Sequence, residues 1–207
     1  EEARQIFTLT VTNVNDVPDV HDDTASVDED NSVAINILEN DSDVDNDLNP
    51  ASVRVVTAPA LGKTSLNTAN GVITYTPNEN VNGSDSFTYT VDDLENGRSA
   101  IATVSITINP VNDAPIAKID TAITEEDMAI EIDVALNDSD IDEGDSLDLS
   151  RLEVITAPEN GKASVQNERI LYTPNADFNG SDTFTYRVAD KVGAMSNQAS
   201  VIVTVGE

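Results

Sequence analysis

Residues 75–91, YTPNENVNGSDSFTYTV, return 97 residues later as residues 172–188, YTPNADFNGSDTFTYRV, with twelve of seventeen positions identical. VNDVP (14–18) recurs at the same offset as VNDAP (111–115), and NDSDVD (40–45) as NDSDID (137–142). A period of this length exceeds the roughly 20 to 50 residues of solenoid units and matches an independently folding module of about 100 residues. The chain therefore reads as a tandem array, with one module over residues 15–110 and a second over 111–207. Residues 6–18, IFTLTVTNVNDVP, resemble residues 104–115, VSITINPVNDAP, so residues 1–14 read as the last strand of a preceding module. Both linkers end in Pro, which lacks an N–H and holds its predecessor extended, so neighbouring modules are expected end to end.

The secondary-structure signal is all-β. Apolar residues alternate at Val33/Ile35/Ile37, Phe87/Tyr89/Val91, Val104/Ile106/Ile108 and Val201/Val203/Val205, with Thr and Ser between many of them. Asn-Gly pairs at residues 70–71, 82–83, 96–97, 160–161 and 179–180 supply the positive φ that tight turns demand. The predicted strands of the first module lie near residues 24–27, 33–38, 53–57, 63–66, 72–76, 86–91 and 100–109. Seven short strands per module, each bounded by turn residues, imply a Greek-key immunoglobulin-like β-sandwich. Tyr89 and Tyr186 sit where the tyrosine corner of such a sandwich places a Tyr, two residues before a core position that Val91 and Val188 fill.

Thirty-nine Asp and Glu against ten Lys and Arg give a formal charge of −29. That balance excludes nucleic acid and anionic membrane surfaces as partners, because phosphate recognition needs clustered Lys and Arg. There is no apolar run long enough for a membrane-spanning helix and no signal peptide in the sequence. With no Cys the chain has no disulfides. His21, the single histidine, has no nucleophile constellation around it, and paired acids without a Trp platform do not make a glycosidase, so the chain does not read as an enzyme.

The acidic segments carry the chemistry. NDSDVDND (40–47) places Asp41, Asp43 and Asp45 at every second position, and NDSDIDEGD (137–145) does the same with Asp138, Asp140 and Asp142, with no Lys or Arg inside either run. Such crowding is offset by a hard divalent cation, and calcium takes six to eight oxygens from carboxylates, amide carbonyls and backbone. The spacing is not that of an EF-hand. In a sandwich, the loop after the second strand, the loop between the last two strands and the incoming linker share one end. That end should gather Asn112, Asp113, Asp138, Asp140, Asp142 and Asp190 in the second module and Asn15, Asp16, Asp41, Asp43, Asp45 and Asp93 in the first. The opposite end should present Glu29, Asp30 and Asp85, so that a junction between modules forms a calcium clamp.

VNDAP, VDED (27–30), TEED (124–127), NDSDxD, YTPNxxxNGSDxFTY and VDDLENG (91–97), in this order, resemble the bacterial cadherin-like, immunoglobulin-like tandem repeats of large calcium-dependent surface adhesins, including biofilm-associated proteins of the repeats-in-toxin type. The resemblance implies that Glu29 is the calcium-binding Glu near the start of a module, that Asn112 and Asp113 are the linker ligands, and that Asp138 and Asp140 are the paired aspartates of the following module. The second module departs from the first in having Ala189 where the first has Asp92. The expected function is that of an extracellular, cell-surface extender in which Ca2+ stiffens the array, with neighbouring repeats as partners and cell adhesion or biofilm formation as the outcome. The alternative is a calcium-dependent carbohydrate- or protein-binding module, against which stand the absence of Trp and the placement of most Tyr and Phe at core positions.

Overall fold

A computed structural model describes residues 7–12, 14–142 and 144–207. The chain divides into two units, Glu1–Val111 and Asn112–Glu207, and is nearly all-β, with 52% strand and 2% helix. Of the expected strand remnant, residues 1–6 and 13 lie outside the described residues, while residues 7–12 and 14 are exposed and carry no strand.

In the first unit the strands are β1 (Asp23–Asp28), β2 (Val33–Ile35), β3 (Leu48–Thr57), β4 (Gly62–Leu66), β5 (Ile73–Pro77), β6 (Gly83–Asp93) and β7 (Ala102–Asn109). They form one sheet in the order β1-β7-β6-β3 and another in the order β2-β5-β4. β1 runs parallel to β7, and the other pairs are antiparallel. The second unit repeats this with β8 (Asp120–Glu125), β9 (Ile130–Ile132), β10 (Leu147–Thr156), β11 (Gly161–Gln166), β12 (Arg169–Pro174), β13 (Gly180–Asp190) and β14 (Ala199–Gly206), in sheets β10-β13-β14-β8 and β11-β12-β9. A 3-10 turn over Val134–Leu136 follows β9.

Alternation explains the sandwich. Ala102, Val104, Ile106 and Ile108 of β7 are buried while the residues between them face outward, and Ala199, Val201, Val203 and Val205 repeat this on β14. Ile35, Ile37, Ile73, Tyr75, Phe87, Tyr89 and Val91 join them in the first core, with Val27 and Val53, and Ile132, Val134, Ile170, Tyr172, Phe184, Tyr186 and Val188 in the second, with Ala117 and Leu152. Tyr172 stacks on Phe184, with ring centroids 6.1 Å apart. The alternation stops near the end of β6, where Tyr89 through Asp93 are all buried, so this central strand delivers a carboxylate into a covered end of the unit.

One turn assignment differs from the expectation. At Asn96-Gly97 the Asn takes the positive φ, 69°, and at Asn160-Gly161 neither residue does. Gly161 is required by packing instead, since a Cβ there would stand 2.6 Å from the Tyr172 ring and 2.8 Å from the Thr173 carbonyl oxygen. Gly62 meets Tyr75 and Thr76 in the same way. The tyrosine hydroxyls return to upstream backbone, Tyr89 Oη donating to Ile37 O at 2.8 Å and Tyr186 Oη to Val134 O at 2.9 Å.

Candidate metal centre

The β2–β3 loop folds back on itself through Asx turns, in which an Asp side chain accepts an amide two residues on. Asp43 Oδ1 accepts the Asp45 amide at 2.7 Å, and Asp45 Oδ2 accepts the Asp16 amide at 2.9 Å, which ties the incoming linker to the loop. The Asn46 φ of 59° turns the chain so that Asp47 follows beside Asp43. Asp93, at the end of β6, accepts the Glu95 and Gly97 amides on Oδ1 at 2.8 and 2.7 Å, and the Asn15 side-chain amide on Oδ2 at 2.8 Å.

Carboxylate oxygens of Asp43, Asp47 and Asp93 lie within 4.8 Å of one another. Full charges this close repel one another. The Asn15 amide holds the Asp93 carboxyl below the usual carboxylate range, whereas loss of hydration, then Asp43 and the other neighbouring carboxylates, push Asp47 up. Asn15 Oδ1, Asp43 Oδ2 and Asp47 Oδ1 are shielded from water and have no hydrogen-bond partner. Buried polar atoms are nearly always partnered, so the unpartnered oxygens of Asp43 and Asp47 make this cluster a candidate cation site.

The second unit builds the same arrangement. Asp140 Oδ1 accepts the Asp142 amide at 2.9 Å, Asp142 Oδ2 accepts the Asp113 amide at 2.8 Å, and Asp190 Oδ2 accepts the Asn112 side-chain amide at 2.8 Å. Asp190 Oδ1 takes the amides of Gly193 and Ala194. The Asn112 amide holds Asp190 below the ordinary carboxylate range. Oxygens of Asp140, Asp145 and Asp190 cluster within 4.8 Å, and Asp140 Oδ2 and Asp145 Oδ2 are shielded and unpartnered. The loop here is two residues longer between the Asp at position 140 and the strand that follows, so Asp145, after Gly144 with a φ of 88°, occupies the role of Asp47.

Asp47 and Asp145 were absent from the sequence-derived candidates. The signal that identifies them is the repeat itself, since each is the last acid before its following strand.

Asp41, Asp138, Asp85, Glu29 and Asp30 have partners outside these clusters. Both Asp41 oxygens are engaged, Oδ1 by the His21 amide at 2.9 Å and Oδ2 by Tyr89 Oη at 2.8 Å, and Asp138 is held likewise by the Lys118 amide and Tyr186 Oη. Asp85 accepts the Ala60, Leu61 and Ser86 amides and the Tyr75 hydroxyl, all at 2.8 to 3.0 Å. Burial works to raise its carboxyl, but these donors prevail and hold it below the usual range. Asp182 takes the same four bonds in the second unit, closing the loop after β10 and tying β12 to β13 across the sheets. Glu29, 2% exposed, accepts the Val111 amide on Oε1 at 2.7 Å, and Asp30, with a φ of 61°, accepts the Asn80 amide at 3.0 Å.

The donor set around each cluster is all oxygen and mostly anionic. That suits calcium, which tolerates irregular sites of carboxylates and amide carbonyls, better than magnesium, which keeps its waters in a strict octahedron.

Residues 15–110 match the family of bacterial cadherin-like domains and residues 112–204 the family of bacterial Ig domains. A curated relative, protein GAMETE EXPRESSED 2 of Arabidopsis thaliana, is 40% identical over 89 residues, which are 43% of the chain and 9% of that protein. Among solved structures, Drosophila N-cadherin EC1-4 aligns with 91% of the chain and 50% of its own length at 10% identity and a TM-score of 0.53. Human protocadherin-24 EC1-2 aligns with 93% of the chain and 100% of its own at 11% identity and a TM-score of 0.50. At these identities the likeness is one of fold. The chain spans 29% of an endo-fucoidan hydrolase of glycoside hydrolase family 107, at 17% identity and a TM-score of 0.41.

Proposed function

Because the chain is a bacterial cadherin-like repeat followed by a bacterial Ig-like repeat, we propose that it is an extender segment of a cell-surface adhesin, and that each repeat binds calcium at the end where its linker enters. Domains of these families are generally structural or adhesive and usually extracellular, and cadherin-like domains typically bind calcium. Among the described residues no helix is long and apolar enough to cross a membrane.

The observation that carries the calcium reading is the set of solvent-shielded oxygens without partners, Asn15 Oδ1, Asp43 Oδ2 and Asp47 Oδ1 in one unit and Asp140 Oδ2 and Asp145 Oδ2 in the other. Together with Asp93 and Asp190 they would hold the ion, and the ion would supply the charge that the carboxylates lack. Asn15 and Asn112 belong to the linkers, so an ion bound to them fixes the direction in which the chain enters the repeat. Calcium thereby stiffens a tandem array one linker at a time. Glu29 is bonded to Val111, the residue before Asn112.

Scanning calorimetry and small-angle scattering with calcium and with chelator test the proposal. At a calcium concentration a hundredfold above the dissociation constant, each site adds about 2.7 kcal/mol to stability, and scattering should report a longer, less mobile particle. Identical transitions and identical scattering in both conditions would remove it.

A further inference from the structure

Residues 82–84 and 179–181 both read Asn-Gly-Ser, a pattern in which asparagine nitrogen accepts a sugar. Asn-Asp-Ser at residues 40–42 and 137–139 fits the same pattern, so the chain holds four such triplets. The structure separates them into two kinds.

Asn40 and Asn137 are committed elsewhere. Asn40 Nδ2 donates to Asp22 O and Asn137 Nδ2 to Ile119 O, both at 3.1 Å, while Ser42 and Ser139 exchange backbone bonds with Asp19 and Ile116. Both triplets also lie within the acidic runs, with Glu39, Asp41, Asp43 and Asp45 along the chain around the first. Asn82 and Asn179, in contrast, are exposed just ahead of β6 and β13. Among the described residues the side chains of Asn82, Ser84, Asn179 and Ser181 have no hydrogen-bond partner.

Turn formation accounts for only part of the Asn-Gly-Ser triplets. Gly83 and Gly180 have φ of 117° and 129°, backbone that glycine alone adopts readily, so the glycines are required. Asn82 and Asn179 are not among the positive-φ residues, and the local backbone bonds on which a turn asparagine usually spends its side chain are missing. Between the repeats the preceding three residues all change, from Glu-Asn-Val at 79–81 to Ala-Asp-Phe at 176–178, whereas the triplet returns unaltered. The loop is nonetheless anchored, since Asp30 accepts the Asn80 amide and Asp127 the Asp177 amide. Each repeat thus presents an open asparagine amide and an open serine hydroxyl on a fixed base.

We propose that Asn82 and Asn179 are N-glycosylation sites of the folded repeats, taking a sugar from a donor activated by a phosphate leaving group, and that Asn40 and Asn137 are not. In the transfer the asparagine nitrogen bonds to the anomeric carbon and the bond from that carbon to the phosphate oxygen breaks. Its electron pair leaves with the phosphate, and one amide proton passes to a base of the transferase. The nitrogen must therefore face the donor and not a backbone carbonyl, which Asn82 and Asn179 satisfy and Asn40 and Asn137 do not. Charge acts in the same direction, because an anionic donor nearing Asn40 meets the carboxylates of its loop. Asn82 precedes β6 at the end opposite Asp93, and 11 residues of strand span about 35 Å, so a sugar there leaves the candidate metal cluster uncovered.

The test is to incubate the folded 207-residue protein with UDP-glucose and a soluble asparagine glycosyltransferase first shown to modify free peptides spanning all four triplets. Intact mass and peptide mapping should find two added hexoses, one at Asn82 and one at Asn179. A folded protein that gains no sugar at either position, or gains it as readily at Asn40 and Asn137, overturns the proposal. Ser84→Ala and Ser181→Ala should each remove one hexose, and Ser84→Thr should retain it. A hexose on Asn82 that survives Ser84→Ala also overturns it. The readout is independent of calcium, so failure here leaves the metal reading intact, and failure of the metal reading leaves this one.

Discussion

Asn15 and Asp93 are joined by a 2.8 Å hydrogen bond from Asn15 Nδ2 to Asp93 Oδ2, and Asn112 and Asp190 repeat it at the same length. The bond fixes which end of the amide faces which group. The NH2 satisfies the carboxylate, and in the first unit the carbonyl oxygen is left shielded at the acidic cluster without a donor. One linker residue therefore serves both as a clasp on the last turn and as a candidate ligand.

Asn15→Ala removes clasp and ligand together, and calcium affinity at the first site should fall about tenfold or more, the usual cost of losing a residue that orients a ligand. Asn15→Asp separates the two roles. In chelator it sets an acceptor-only group against Asp93 and should lower the Tm, whereas in calcium it offers an extra anionic ligand and should recover most of the loss. Isothermal titration and calorimetry of the two variants check the pair of outcomes.

Each cluster is built from residues of one unit, so the sites should be lost singly. Asp43→Asn should lower the calcium stoichiometry by one and leave the other site, and Asp140→Asn should do the converse. Relief of repulsion gives a second signature. In chelator each variant should be slightly more stable than wild type, because one of three crowded carboxylates no longer repels the others. A variant less stable than wild type in chelator would mean that the carboxylate is structural.

Asp85 and Asp182 supply that structural case. Each accepts three amides and a tyrosine hydroxyl, and Asp182 is 4% exposed. Replacing Asp182 by Ala leaves buried donors without an acceptor and should cost about 3 kcal/mol in chemical denaturation, equally with and without calcium, and with no change in stoichiometry. The folded-state carboxyl of Asp85 is held low, so its contribution is present above the unfolded value near 4 and is lost as pH falls through the lower folded value. The acid limb of the stability curve should accordingly flatten in Asp85→Asn.

Comparison of these carboxylates shows what the sequence makes legible. Strands such as β7 and β14 were readable because alternation of Val and Ile with Thr and Ser depends only on neighbours. Asn15, Asp43 and Asp93 were readable as a group because sandwich topology places an incoming linker, the loop after the second strand and the end of the sixth at one end. Asp41 and Asp43 look identical in the alternating run, yet a two-residue step turns one to Tyr89 and the other to the cluster. Which acid faces which side follows from the Asx turns, and those depend on backbone angles such as the positive φ at Asn46. Asp85 is engaged by the amides of Ala60, Leu61 and Ser86 and by the Tyr75 hydroxyl, and no residue type announces an amide.

The two repeats differ at one further place that amounts to a natural double substitution. In the first unit Asp92, 8% exposed, takes a bidentate pair of bonds from Arg98 at 2.8 and 3.2 Å, and residues 92 and 98 are bridged partners; in the second unit the bridged partners are Ala189 and Met195. The Arg98 bond holds the Asp92 carboxyl below the ordinary range. The arginine is half exposed and can regain water when its partner goes, but the carboxylate cannot. Arg98→Met alone should therefore destabilise more than Asp92→Ala alone, since it leaves a covered charge with only the distant Arg54 at 3.9 Å. Asp92→Ala/Arg98→Met together should be less damaging than Arg98→Met, because the second repeat already folds around that pair. Urea denaturation of the three variants at pH 7 in chelator measures the coupling, and additive losses would show that the ion pair and its apolar replacement are not interchangeable at this bridge.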